Sequence, residues 1–487
     1  MSTDESRPSR NLTLIIHAAL LICLATWIAV IVHHLLRWGS VRRWLLALFA
    51  VLLATSAAWL FRNTLKVFHR PAKTRHGILV FVAVSLLLLI IRLALVVAYS
   101  VPQTSDYGDY RRLGHDLSTG KGYHFAWSNT GLEAGKSTRP PGYPLLLALA
   151  YYVSGQEELA AGVLDALLGT ALVVMASLLV FHMSGPVAGL VTLVALGLSP
   201  LTLLYTLTST SETAFGAFLF AGLLFAHYAS SMHSNRSLVS CAIGGGLLGY
   251  ACLIRPPGIV SSLLCLLWLM TTRETPLRRL SRAALFLFAL VLSIAPWTYR
   301  NYLVHGRLLL ISSNGGEVFY SANVVPNKIL GGAYMPDNYR TLRRLFPNEV
   351  ERNTAGFLLG TRYILANPQL FLASLPHRYA MMLETHDWMV GSAWRVPVPK
   401  EVLQALSNLF FWFIPLFAII RSGGIFRLLA SSRLSILLAI VYVAWFPLSA
   451  LFETFPRAQY PYILLPLILS IAAVFRDAPE HRQQSPS

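Results

Sequence analysis

The sequence predicts an all-α integral membrane protein, and three observations carry that prediction. Apolar residues make up 55% of the chain and charged residues only 12%, against about 25% charged in a soluble domain. The apolar residues gather in long runs instead of alternating, and mean hydropathy is +0.58. Basic residues collect in short segments between those runs. A soluble chain of 487 residues would divide into several domains. The runs point instead to one membrane body with polar inserts.

A spanning helix needs about 20 mostly apolar residues. By that measure the candidate spans are 12–35, 43–61, 77–100, 159–182, 187–207, 213–230, 238–254, 257–272, 283–297, 403–420, 434–452 and 460–475, about twelve. Arg255-Pro256-Pro257-Gly258 separates 238–254 from 257–272. Proline there breaks a helix, so two half-length pieces meeting at a kink are one expectation. The polar tail MSTDESRPS precedes the first run, which is too long for a signal-peptide core and is read as a retained span.

The net charge is +18, from 39 Lys+Arg and 21 Asp+Glu. Strongly basic chains often bind nucleic acid, but here the placement of the charge explains it better. Segment 62–76 carries Arg62, Lys66, Arg70, Lys73 and Arg75 with no acid. Segment 272–282 carries Arg273, Arg278, Arg279 and Arg282 against Glu274, and 421–433 adds Arg421, Arg427 and Arg433. Counted alternately, all three fall on one side, which the positive-inside rule makes cytoplasmic. Both termini then lie inside, and no nucleic-acid partner is expected. Arg37, Arg42 and Arg43 fall on the outer side, against the rule.

Two long loops lie outside, about 101–141 and 298–400, rich in the Gly, Pro, Asn and Tyr of ordered turns. The chain divides accordingly. Residues 1–76 are two extra N-terminal helices and a basic loop, and 77–297 are a core whose first outer region is 101–157. Residues 298–402 are a long outer loop, and 403–487 are C-terminal helices with a short cytoplasmic tail. Around Phe357–Leu375, apolar and polar residues mix at helical spacing, as in a helix lying in the interface.

The chemistry-bearing residues sit at the outer ends of spans. Ser105-Asp106-Tyr107-Gly108-Asp109-Tyr110 follows one span, and Arg139-Pro140-Pro141-Gly142-Tyr143-Pro144 precedes another run. An acid and a base thus bracket one loop at the membrane surface. A partly desolvated carboxylate suits proton acceptance, although aspartate also caps turns. Glu212 opens a span, where the helix dipole alone favours an acid. Arg255 ends one, where snorkelling alone explains an arginine. Arg300 and Asn301 follow Pro296-Trp297, and Arg457 lies between the last two spans. Together, Arg139, Arg300 and Arg457 can hold a lipid phosphate, because guanidinium groups bind phosphate bidentately.

Other signatures are missing. Gly244-Gly245-Gly246 has no preceding strand and no following Lys-Ser/Thr, so close helix packing explains it better than a phosphate loop. The histidines show no metal-ligand spacing, and Glu384, His386 and Asp387 read as a solvated face. Cys23, Cys241, Cys252 and Cys265 all fall in apolar runs, so no disulfide framework is expected.

In order along the chain, these motifs resemble those of the GT-C membrane glycosyltransferases. The resemblance is to the branch of protein O-mannosyltransferases and aminoarabinose transferases. It rests on Asp106…Tyr110, Gly120-Lys121-Gly122-Tyr123, Arg139-Pro140-Pro141-Gly142-Tyr143-Pro144, Ser211-Glu212, Leu253-Ile254-Arg255-Pro256 and Pro296-Trp297-Thr298-Tyr299-Arg300-Asn301-Tyr302. It runs from about residue 77 to the C-terminus. Where the eukaryotic mannosyltransferases have Asp-Glu, this chain has Asp106-Tyr107.

The resemblance implies a GT-C-like fold in the inner (plasma) membrane, with the active site on the extracytoplasmic face. It implies Asp106 as catalytic carboxylate, with Asp109 able to share the role, and Arg139 as a phosphate contact. Tyr143, Glu212, Arg255, Arg300, Asn301 and Arg457 are the further candidates for substrate or phosphate binding. The expected partners are a polyprenyl-phosphate sugar donor, the lipid bilayer and a protein, lipid or cell-envelope glycan acceptor. No cofactor and no obligatory metal are expected. The rival expectations are a lipid-linked glycan flippase or transporter, which would carry mid-span charges on broken repeats, and an O-antigen polymerase or ligase. The clear mid-span charge is Arg92, and no internal repeat is seen.

Overall fold

The computed structural model describes residues 74–98, 106–126, 133–155, 157–232, 235–324, 336–383, 407, 411, 415, 432–452 and 460–476. Spans expected at 12–35 and 43–61, most of 403–420, and the segments holding Arg457 and His386 lie outside the described residues.

Helix α1 (Thr74–Ala98) is followed by the short polar helix α2 (Asp106–Ser118). A two-stranded antiparallel ribbon, β1 (Phe125–Ala126) and β2 (Glu133–Gly135), leads to α3 (Gly142–Ser154). Next comes α4 (Glu157–Gly197), broken at Ser184 and Gly185 just before Pro186. The break turns the chain back on itself. Gly189 rests against Phe181, and Gly169 faces Thr206 of α5 (Pro200–Leu207). The runs 159–182 and 187–207 are therefore two antiparallel helical segments, the second interrupted between Gly197 and Pro200.

Helices α6 (Ser211–Ser231), α7 (Arg236–Ile254), α8 (Gly258–Met270) and α9 (Pro276–His305) follow. The pair flanking Arg255 is unequal, not two half-length pieces. Helix α7 is among the helices long and apolar enough to cross a membrane, whereas α8 is a shorter apolar helix. Residues 142–154, too short to count as a spanning run in the sequence, form a second short apolar helix. Among the described residues six helices meet the spanning criterion, including Gly77–Ala98 of α1 and Arg433–Ala450, here α14.

The glycine triplet packs helices, as its sequence context predicted. Within it, a Cβ on Gly245 would collide with the Phe286 backbone of α9, and one on Gly249, a turn further along, would stand 2.6 Å from the Leu290 carbonyl oxygen. Small residues at such crossings let backbones approach in a bilayer, where apolar burial alone gives little drive for association.

The long loop after α9 is a helical layer. It holds α10 (Gly315–Asn323), α11 (Pro336–Leu345), α12 (Glu349–Ala366) and α13 (Pro368–Leu383). The predicted helical stretch around Phe357–Leu375 is thus two helices, divided at Asn367-Pro368. Asn348 caps α12, accepting from the amides of Val350 at 3.0 Å and Glu351 at 3.2 Å. Helices α14 and α15 (Leu464–Arg476) close the bundle. Stacked aromatics pin the turn between them, Tyr462 on Trp445 and Tyr460 on Tyr205.

Candidate active site

Asp106 is the first residue of α2, and Asp109 lies in the same turn. The dipole at a helix start favours both acids, and the three-residue spacing puts them on one face. Across from them comes Arg139, on the irregular stretch between β2 and α3. Pro140 and Pro141 keep that stretch from joining α3.

The two ends of the loop meet. Arg139 donates through Nη2 to Asp106 in a tight ion pair, and the same nitrogen stands 3.6 Å from Asp109 Oδ2. Arg112 approaches Asp109 from the other side at 3.3 Å. Both carboxylates are buried, at 8% exposure for Asp106 and 2% for Asp109. The Arg139 guanidinium also lies 5.6 Å from the centre of the Tyr110 ring. Burial pushes the Asp109 carboxyl up to about 6; Arg139 opposes the rise and Asp106 adds to it. Burial likewise raises the Tyr110 phenol, with the Asp106 and Glu212 charges adding to the effect and Arg139 opposing it.

A second acid–base pair adjoins the first. Tyr110 donates its hydroxyl to Ser211 Oγ at 3.4 Å, at the start of α6. The next residue, Glu212, pairs with Arg255 at 2.5 Å. Arg255 is held at the end of α7, where the chain turns extended before Pro256 and Pro257.

The other candidates have structural work. Tyr143 is fully buried, and its hydroxyl donates to Asp165 Oδ1 at 2.7 Å. It stands behind the pair, edge-on to Tyr110. Asn301 is fully buried too. Its amide donates to the carbonyls of Leu309 and Ile311, and its oxygen accepts from Ser137 and Arg300. Arg300 stacks on Trp297 at 4.7 Å and donates to Lys136 O and Ser137 Oγ, both at 2.8 Å. Tyr143 and Asn301, predicted as ligand contacts, thus pack the site from within, and Arg300 grips the segment that carries Arg139.

Sequence reasoning missed Glu349, Ser137, His305 and Asp165. Glu349 accepts hydrogen bonds from the backbone of 136–137, more than two hundred positions away in sequence. Its local signal, an acid after a helix cap, marks a helix start and nothing else. Asp165 had a signal, a lone acid inside an apolar run, which is rare unless it has a partner.

The described helices form an all-α bundle, six of them long and apolar enough to cross a membrane, around a buried acid–guanidinium site. Residues 138–299, about a third of the chain, match the family model described as dolichyl-phosphate-mannose-protein mannosyltransferase. Among solved structures, the chain is similar to the Archaeoglobus fulgidus oligosaccharyltransferase in its apo form. The identity is 12%, coverage is 84% of this chain and 51% of that one, and the TM-score is 0.50. This chain therefore spans about half the length of that enzyme. It is also similar to ArnT from Cupriavidus metallidurans, at 14% identity and TM-score 0.40 bound to undecaprenyl phosphate and at 15% and 0.42 in the apo state. In both, the match covers 84% of this chain and 78% of that one. No curated protein matches the chain by sequence.

Proposed function

We propose that this protein is an inverting glycosyltransferase. It moves one monosaccharide from a polyprenyl-phosphate carrier to a protein, lipid or envelope-glycan acceptor on the extracytoplasmic face of the inner membrane. The observation that carries this reading is the meeting of Asp106 with Arg139, from opposite ends of one loop, beside the Glu212–Arg255 pair. The family match over 138–299 supports the reaction class.

In this reading the acceptor oxygen attacks the anomeric carbon, and the bond to the phosphate oxygen breaks. Asp106 takes the hydroxyl proton. Direct attack inverts the anomeric centre, unlike a double displacement through a carboxylate nucleophile. Arg139 balances the charge that grows on the departing phosphate. An arginine carries five N–H donors, so it can hold the phosphate while still orienting Asp106. Arg255, on the next pair, is the candidate for a second phosphate contact, while Arg300 donates to the loop that carries Arg139. Arg457 lies outside the described residues and keeps its proposed role on sequence grounds alone.

The experiment is a transfer assay on the purified protein in nanodiscs with a panel of polyprenyl-phosphate hexoses and pentoses. Transfer or hydrolysis of one donor, lost in Asp106→Asn, is the expected result. Binding and movement of intact donor across the bilayer, without bond cleavage, would favour a flippase and overturn the reading.

A further inference from the structure

We propose that Glu349, the first residue of α12, is a positioning residue for the Asp106–Arg139 pair, because its carboxylate fixes the backbone segment that delivers Arg139. The kinetic arm of this proposal rests on the transferase reading above; the structural arm does not.

Glu349 is 7% exposed, and its carboxylate spends both oxygens on that segment. Oε1 accepts from the Lys136 amide at 2.7 Å. Oε2 accepts from the Ser137 amide at 3.1 Å and the Thr138 hydroxyl at 3.3 Å. Two successive amides need two acceptor oxygens on one group, and a carboxylate supplies them. Ser313 completes the clamp, since its hydroxyl donates to Glu349 Oε2 at 2.7 Å and its amide to the Ser137 carbonyl at 2.9 Å. His305 Nε2 lies 3.5 Å from Oε1 and 2.9 Å from Ser137 Oγ.

The segment is thus gripped from both sides, its N–H groups by Glu349 and its Lys136 carbonyl by Arg300. Gly135 is part of the fit. Its φ of 126° is rare for L side chains, and a Cβ there would collide with the Glu349 carboxylate. The position of α12 favours the charge, because an anion is stabilised at a helix start. Arg139 lies two residues beyond Ser137, about 7 Å of extended chain. A slip of the clamp therefore moves the guanidinium. Misplacement of a reacting group by about 1 Å can cost about a hundredfold in rate. Glu349 sits in the polar helical layer, so this contact makes the layer part of the site's assembly.

The test compares the full-length protein with Glu349→Gln and Glu349→Asp. Glutamine keeps one acceptor and turns an NH2 toward the other amide, whereas aspartate keeps both oxygens on a shorter stem. Hydrogen exchange on peptides covering 133–141 should be at least about tenfold faster in Glu349→Gln. Peptides from α6 and α7 should exchange as in wild type. Turnover should fall about thirtyfold in Glu349→Gln and less in Glu349→Asp. In an Arg139→Lys background, adding Glu349→Gln should cost less than about threefold, because the two act through one geometry. Unchanged exchange at 133–141 overturns the clamp. Faster exchange with unchanged turnover, or fully additive losses with Arg139→Lys, overturns the positioning role. If Glu349→Gln does not fold, Glu349→Asp gives the same readouts. A wild type inactive with every donor sinks the transferase reading, while the exchange result still decides the clamp.

Discussion

Two buried ion-pair clusters in this molecule differ in their ratio of acids to guanidinium groups. At the start of α2, two carboxylates, Asp106 and Asp109, meet two guanidinium groups, Arg139 against both and Arg112 against Asp109. In the polar helical layer, one carboxylate, Glu317, faces two arginines. Arg343 meets it through two nitrogens, at 2.9 and 3.3 Å, and Arg352 closes the other side. Glu317 is saturated and joins α10 to α11 and α12. The α2 cluster carries one acid per guanidinium, and burial pushes one of its acids, Asp109, up to about 6. Both are buried ion pairs, so burial and pairing do not tell a working site from a rivet. The raised proton affinity of Asp109 does, because a perturbed proton affinity is what acid–base chemistry uses.

The sharpest break of this comparison is a pair of isosteric changes. Asp106→Asn should lower turnover by about a thousandfold, within the range that a positioned base contributes, and cost less stability than Glu317→Gln, because Asp109 still faces Arg139. Glu317→Gln should do the reverse. It leaves two buried guanidinium groups under-compensated, a change that costs about 3–5 kcal/mol when a buried pair is broken. The unfolding temperature should drop, while turnover per folded molecule stays within about threefold of wild type. Scanning calorimetry beside a transfer assay checks both. If the two variants behave alike, the charge ratio carries no functional meaning.

Arg139→Lys comes next in size. Lysine keeps the charge but loses the planar fork that can serve a carboxylate and a phosphate together. A loss of about a hundredfold in turnover is expected, in line with removing one transition-state donor. The donor KM should change less than kcat. A loss confined to KM would make Arg139 a ground-state binding group.

The titration of Asp109 is a smaller effect with a definite sign. Its native proton affinity is raised above the ordinary carboxylate value, by burial first. The folded state therefore binds that proton more tightly than the unfolded chain. The stability this contributes is fully present below about pH 4 and is lost as pH rises through about 6. Catalysis runs the other way if the ionised form is the working one, falling about tenfold per pH unit below pH 6. Asp109→Asn should flatten both profiles, seen in unfolding temperature and in turnover between pH 4 and 8. An unchanged acid limb in that variant would assign the limb to another group.

Much of the bundle was legible because a bilayer imposes a simple demand, long apolar runs with closed backbone hydrogen bonds. The runs 77–100, 213–230 and 434–452 appear as helices, and the glycine triplet packs α7 on α9. The short helix 142–154 escaped because its length falls below a span. The unequal halves around Arg255 escaped because proline marks a break without saying how long either side runs. In the site, Asp106, Arg139, Glu212 and Arg255 could be picked out, since charged side chains at span ends are conspicuous in so apolar a chain. Their pairing across 33 and 43 positions could not, and neither could Glu349, whose work is done on backbone amides that no side-chain pattern encodes.

The smallest expected effect is that of a chelator. The α2 cluster offers two carboxylates, but Arg139 lies against both and Arg112 against one, so their negative charge is already partly answered by guanidinium groups. A phosphate brought beside them would meet the same groups. Turnover should therefore change less than about twofold in EDTA, where a metal that stabilises the leaving oxygen would be worth several kcal/mol. Loss of activity in EDTA and its return with a divalent ion would mean that the two carboxylates open toward a cation when donor is bound. The guanidinium-centred account of the α2 cluster would then give way to a metal-centred one.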